Sequence, residues 1–179
     1  MRFSIPTNTL KRLSTVLSLS APQHLNAIRL EHLNGNTLAI VTNQQVAAIE
    51  LIAPTDQPNG HCYLKPQDWQ PDQVLEIDVM PEFALATDDC CYWWDDPDTP
   101  LSDWQSWIAP VAVASSGVMV WDTYQMMTLW QSSPTGQVVF PQFIDADKPV
   151  CVRDGDWMGL FLPSDEKVKE AAVLPEWVG

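Results

Sequence analysis

Carboxylates are the groups in this chain best placed to do chemistry. The run Asp95–Asp103 (DDPDTPLSD) holds Asp95, Asp96, Asp98 and Asp103. Such oxygens suit hard cations like Ca²⁺ or Mg²⁺, but EF-hand spacing and its closing Glu are missing. Asp88–Asp89 is a carboxylate pair able to pass protons, with no nucleophile or oxyanion stabiliser beside it in sequence. His24, His32 and His61 stand at neither metal nor triad spacing and read as surface or half-buried residues. Cys62, Cys90, Cys91 and Cys151 form no C-x-x-C, and the adjacent pair would point to opposite faces of a strand. Reduced, partly buried thiols are the expectation. G-x-x-x-x-G-K-[ST], G-x-G-x-x-G and G-x-S-x-G are all absent. The reading is a non-enzyme with no cofactor and no metal.

Charge says more than motifs do. The formal net charge is −14, and from Pro66 to Asp147 there is no Lys or Arg. That stretch holds fourteen of the 23 acids, so the remaining nine acids balance the nine bases elsewhere. A protein that coats DNA needs Lys and Arg to displace counterions, and the middle of this chain has none. An acidic middle suits a basic protein partner, or a surface that repels or mimics DNA. Nine Trp suggest core packing first. A stacking surface for single strands would need cations around it. The cations that could meet a duplex are Lys11 and Arg12, with Thr15 on the same polar helix stripe, and Arg29 in the following strand.

The elements that would carry these groups are legible from periodicity. The chain has 179 residues, 46% of them apolar, enough for one large or two small domains with a real core. No apolar run is long enough to span a membrane, and Lys11 and Arg12 interrupt any signal-like segment, so a cytoplasmic address is expected. Met1–Pro6 alternates apolar and polar residues. Thr7 or Asn8 can cap a helix over Thr7–Leu19, with Leu10, Val16, Leu13 and Leu17 on its apolar side and Pro22 beyond it. Asn26–Leu33, a turn at Asn34–Gly35 and Thr37–Thr42 read as a hairpin, followed by a strand around Val46–Ile52. Gly60–Leu64 reads as a strand, Lys65–Trp69 as one helical turn, and Gln73–Val79 as a strand. Glu82–Thr87 and Cys90–Trp94 read as a hairpin. Trp104–Ile108 closes this part, and Pro110–Gly117 is a boundary. Beyond it come Val118–Trp121, a helix Thr123–Ser132 capped by Asp122 with Met126, Leu129, Trp130 and Ser133 on one face, Val138–Ile144, and a hairpin of Lys148–Val152 with Trp157–Leu162.

Two stretches resemble the bacterial DNA sliding clamp, the β subunit of the replicative polymerase. They are MRFSIPTNTLKRLSTVLS with NAIRLEHLNGNTLAIVTNQQVAAIEL, and KPVCVRDGDWMGLFLP near the far end. The resemblance implies an α+β, clamp-like fold of repeated strand–helix–strand units with antiparallel sheets. It divides the chain into a clamp-like module pair at 1–109, a half module at 118–163 and a polar tail at 164–179. It also implies a non-catalytic role in DNA replication or repair, or in a mobile-element equivalent. The face toward duplex DNA would present Lys11, Arg12 and Thr15 from the first helix and Arg29 from the strand that follows. A pocket for short peptides of replication or repair proteins would use Leu160, Leu162 and Pro163; read from the residues alone, Leu160 and Leu162 are core positions alternating along a strand that Pro163 ends, and this simpler reading is preferred. The units are too few for a ring from one chain, so a clamp would be a homo-oligomer. The alternative is an acidic protein-interaction module that kept the fold without encircling DNA.

Overall fold

The computed structural model describes residues 1–17, 26–43, 45–80, 83–86, 91–92, 123–137 and 150–161. The chain opens with strand β1 (Arg2–Pro6) and helix α1 (Thr7–Ser14), then strands β2 (Ile28–Leu33), β3 (Asn36–Thr42), β4 (Val46–Pro54) and β5 (Gly60–Leu64). Strands β6 (Val74–Met80), β7 (Phe83–Ala86) and β8 (Cys91–Tyr92) follow, then helix α2 (Thr123–Ser132) and the hairpin β9 (Val150–Asp154) and β10 (Trp157–Phe161).

Alternation in β1 sorts Phe3 and Ile5 inward and Arg2, Ser4 and Pro6 outward. The helix begins directly after Pro6, which carries extended backbone angles and no side-chain cap. The expected caps do another job. The Thr7 hydroxyl donates to Gln70 O at 2.7 Å and accepts from Gln73 N at 3.1 Å. Asn8 donates to Asp72 Oδ1 at 2.7 Å and accepts from the Asp72 N–H at 3.1 Å. Both residues fasten the helix start to the 70–73 turn. Helix α1 also ends sooner than its leucines suggested. Thr15, Val16 and Leu17 donate to the carbonyls of Arg12, Leu13 and Ser14, three residues back, the tight pattern that closes many α-helices.

Among the described residues ten strands form two antiparallel sheets, one ordered β1-β6-β7 and one ordered β8-β5-β2-β3-β4-β10-β9. The β2–β3 hairpin turns at Asn34 (φ 50°) and Gly35 (φ 79°), the two positive-φ positions that an Asn-Gly turn supplies at low steric cost. The side chain of Asn43 closes the next turn, accepting from Gln45 N and Val46 N at 3.0 and 2.9 Å. Strand β4 takes β3 on one edge and β10 on the other, which joins the C-terminal hairpin to the first unit.

Both faces of the larger sheet are buried. On one, α1 and α2 contribute Leu10, Leu13 and Leu129 to a core with Phe3, Leu30, Val41, Ala48 and Trp157. On the other, Ile40, Ile49, Tyr63 and Leu160 cluster, with Leu38, Cys151 and Met158 against them. Helix α2 covers the expected residues, but its faces differ from expectation. Leu129 is buried, as is Ser133 just beyond the helix, whereas Trp130 is 52% exposed in company with Tyr124 and Met127.

Two other expectations change. Residues 65–70 form no helical turn, although Trp69 is buried; Pro66 and Pro71 bracket a segment too short to offset the cost of helix nucleation. Strands β7 and β8 are not partners in a hairpin: β7 pairs with β6 in the small sheet and β8 with β5 in the large one. Asp88–Asp89, Asp95–Asp103, Trp104–Ile108, the boundary at 110–117, Val118–Asp122, Val138–Ile144 and the tail at 164–179 lie outside the described residues. Among the described residues no helix is long and apolar enough to cross a membrane.

Gly159 on β10 lies under Leu129 of α2 and the ring of Trp157. A Cβ there would stand 2.5 Å from the Trp157 ring and 2.9 Å from Leu129, and both side chains are almost fully buried. Gly159→Ala is expected to lower unfolding stability by about 1–3 kcal/mol through overpacking. Urea denaturation monitored by circular dichroism measures it, and an unchanged midpoint would mean that α2 gives way without cost.

Candidate functional site

The surface most able to meet a partner is made by the outer sides of α1 and α2, because their inner sides are spent on the core. Lys11 and Thr15 are exposed on α1. Arg12 is not part of that outer surface. Its Nη1 and Nη2 donate to Glu50 Oε2 and Oε1, each at 2.9 Å, in a two-pronged pair. Nη1 also donates to Ser132 O, in the last turn of α2, at 2.9 Å. Thr9 adds a bond from its hydroxyl to Glu50 Oε1 at 3.2 Å. Burial pushes the Glu50 carboxyl above its ordinary range, and the attraction of Arg12 and the Thr9 hydrogen bond offset that only partly. Placing the guanidinium against the carbonyl end of α2 is favourable, since that end carries the negative pole of the helix.

Arg29 lies in the opposite face of the large sheet and is 5% exposed. It donates through Nε and Nη2 to Glu31 at 3.2 Å and through Nη1 to the Tyr63 hydroxyl at 3.1 Å. Of the four residues expected to face DNA, the structure leaves Lys11 and Thr15 at the surface and commits Arg12 and Arg29 to internal partners. The physical reason is the same for both: each lies beside a buried acid, Glu50 across from α1 and Glu31 two residues along β2, and a buried carboxylate requires a cation. Leu160 of the expected peptide pocket is fully buried in the second cluster. Leu162 and Pro163 lie outside the described residues.

The exposed side of α2 has no charge at all. Its sequence, TYQMMTLWQS, places Tyr124, Met127 and Trp130 three residues apart, at 72%, 58% and 52% exposure. A cleft of about 290 Å³ runs beside Tyr124, lined by Thr15, Leu17, Asn43, Gln45, Gln125 and Thr128 among others. Amides line its wall: Asn43 Nδ2 donates to Gln125 Oε1 at 2.9 Å, and Gln125 Nε2 donates to Gln45 Oε1. The turn after α2 is held from β9 by Asp154, which accepts from Ser133 Oγ and from Thr135 N and Oγ1, the latter at 2.7 and 2.9 Å. Burial works against the Asp154 charge, yet these bonds keep its carboxyl below the ordinary range.

The remaining candidate groups are structural in their surroundings. His32 is buried, stacked on Phe3 at 4.1 Å, with Nδ1 3.1 Å from Thr37 Oγ1 and Nε2 2.9 Å from Arg2 O. The carbonyl can only accept, so Nε2 carries the proton. His61 stands edge-on to Tyr63. Cys62 is buried, and burial pushes the half-buried Cys151 thiol upward. His24 lies outside the described residues. Among the described residues no three His, Cys, Asp or Glu converge on one point. Glu50 was the residue that sequence reasoning passed over. A single acid inside the apolar run VAAIELIAP was the available signal.

No protein-family model matches the chain, and no curated protein matches it. Solved structures do. The DNA polymerase III subunit beta of Pseudomonas aeruginosa matches with a TM-score of 0.58 at 11% identity, over 98% of this chain and 68% of that one. The pol III beta of Caulobacter crescentus matches at 0.62 and 10%, over 98% and 69%. The Helicobacter pylori beta clamp bound to a DNA ligase peptide matches at 0.60 and 10%, over 98% and 70%. The chain therefore has the clamp-like α+β fold, with a likeness that runs along almost all of its length and lies in the structure alone.

Removing Arg12 would leave Glu50 buried and unpaired. Arg12→Ala is expected to cost about 3 kcal/mol of stability at neutral pH. The folded-state pKa of Glu50 is already raised, and losing the guanidinium raises it further. The deficit relative to wild type is thus full above that pKa and shrinks as pH falls through it, because the protonated carboxyl needs no cation. Urea titrations of both proteins at pH 7.5 and pH 5 test this. An equal deficit at the two pH values would assign the loss to packing rather than charge.

Proposed function

We propose that this chain is a non-catalytic clamp-type scaffold of DNA replication or repair whose main contacts are with proteins. The observation that supports it is the fold likeness to bacterial β subunits over 98% of the chain, one of them bound to a DNA ligase peptide. In this reading residues 1–109 act as a module pair, 118–163 as a half module and 164–179 as a polar tail. Peptide capture at the end of β10 would fall to Leu162 and Pro163, since Leu160 is in the core. A ring would need several copies, and a net charge of −14 on each opposes their close approach.

The second reading, an acidic interaction module that does not encircle DNA, is favoured by the helix surface. A helix face that grips a duplex needs several cations. Here Arg12 is turned inward, α2 has no charged residue, and Lys11 is the one cation exposed on α1.

Duplex binding is expected to be weak at physiological salt. Lys11→Glu should flatten the slope of log affinity against log salt by about one phosphate contact. Fluorescence anisotropy with a labelled duplex across a salt series measures this, with sedimentation to give the mass in solution. A mass matching a multi-chain ring, together with tight duplex binding unaffected by Lys11→Glu, would remove the interaction-module reading.

A further inference from the structure

Asn-Gly occurs twice in the chain, at Asn34–Gly35 and at Asn59–Gly60. The two pairs meet in the fold, where the Asn34 N–H donates to Asn59 Oδ1 at 3.1 Å. Asparagine is among the thermolabile residues. Its side-chain amide can be attacked by the main-chain nitrogen of the next residue, and a glycine there has no Cβ to block the approach. By sequence the two pairs are equal candidates for that reaction. The fold treats them differently.

At the β2–β3 turn, Asn34 and Gly35 are both exposed. Neither the Asn34 side-chain amide nor the Gly35 N–H makes a hydrogen bond among the described residues. The bonds of this turn run instead to the Asn34 N–H and to the carbonyls of Asn34 and Gly35. The space beside Gly35 is open too, since a Cβ there would come no closer than 3.7 Å, to Thr55 O. At the other pair, Asn59 Oδ1 is committed to the Asn34 N–H. Gly60 opens β5 and lies opposite His32 on β2. The Met1 side chain packs over it, with Sδ 2.9 Å from where a Cβ would stand. Bringing the Gly60 nitrogen onto the Asn59 amide therefore means lifting the start of β5 from β2. Bringing the Gly35 nitrogen onto the Asn34 amide means turning one residue within an exposed loop tip. Local openings of exposed turns cost far less than openings of paired core strands.

We propose that Asn34 is a site of spontaneous deamidation and that the fold spares Asn59. The Gly35 nitrogen, its proton taken by solvent hydroxide, bonds to Asn34 Cγ. The Cγ–Nδ2 bond breaks, and ammonia leaves with a proton from water. A second water then opens the cyclic succinimide. Opening at the main-chain carbonyl of residue 34 gives isoaspartate, and opening at Cγ gives aspartate. The net change is amide plus water to carboxylic acid plus ammonia, with nothing oxidised or reduced. Either product adds a negative charge at the hairpin tip. Isoaspartate also lengthens the main chain at the two positive-φ positions on which the β2–β3 turn is built.

The test incubates the full wild-type chain at pH 7.5 and pH 9, native in one set and unfolded in guanidinium chloride in the other. Circular dichroism checks both states. The solvent is heavy-oxygen water, so each succinimide that opens leaves a mass tag, and peptide mapping by mass spectrometry reads the tag at Asn34 and at Asn59. In the native chain the tag should build up at least tenfold faster at Asn34 than at Asn59, and faster at pH 9, because the Gly35 nitrogen must lose its proton. In guanidinium chloride the two rates should converge. Equal rates at the two residues of the native chain would overturn the proposal. So would a native chain that reacts at neither residue, since the turn would then be protected as well. The same preference for Asn34 in the unfolded chain would also overturn it, because the ratio would then belong to the local sequence and not to the fold.

Discussion

One guanidinium holds together three parts of the chain that are far apart in sequence. Arg12 on α1 reaches Glu50 on β4 of the larger sheet and the last turn of α2 at Ser132. Without it, Glu50 would be a buried anion alone and α2 would lose a cation at its negative pole. The energetics of such a pair come from desolvation and geometry together. Two short, parallel bonds and a third from Thr9 are what allow a carboxylate to remain at that depth. The position of α2, and with it the row Tyr124, Met127 and Trp130, follows from this contact and from the close fit of Leu129 and Trp157 over Gly159.

Local signals in the sequence were enough for most of the fold. Alternation in Met1–Pro6, the Asn34–Gly35 turn, and the extent of α2 are matters of short-range physics: pleat, positive φ and helical period. The clamp-like order of elements was legible for the same reason. Long-range choices were not. Thr7 and Asn8 are good caps by type, yet they bond the 70–73 turn, and nothing local announces such a partner. β7 and β8 sit close in sequence and enter different sheets, because each strand's partner is set by the strands already there.

The site was less legible than the fold. Lys11, Arg12, Thr15 and Arg29 share a chemistry that suits phosphate, and sequence cannot show which cations are needed inside. Arg29 answers Glu31, two residues along the same strand, and Tyr63, and Arg12 answers Glu50; the Tyr63 and Glu50 pairings are visible only once the elements are assembled. On α2, period alone groups Trp130 with Leu129. Only the packing of Leu129 onto the sheet tells the two apart.

The pairing of β1 with β6 bears on how this protein is made. Phe3 lies opposite Ile77, and Arg12 waits for a carbonyl at Ser132. A ribosome delivers the N-terminal end first, at roughly 5–20 residues per second. The first strand and helix therefore leave the tunnel long before the segments that complete them. In that interval Phe3, Ile5, Leu10 and Leu13 have no finished core to enter. Non-local closure of this kind slows folding and exposes apolar surface meanwhile.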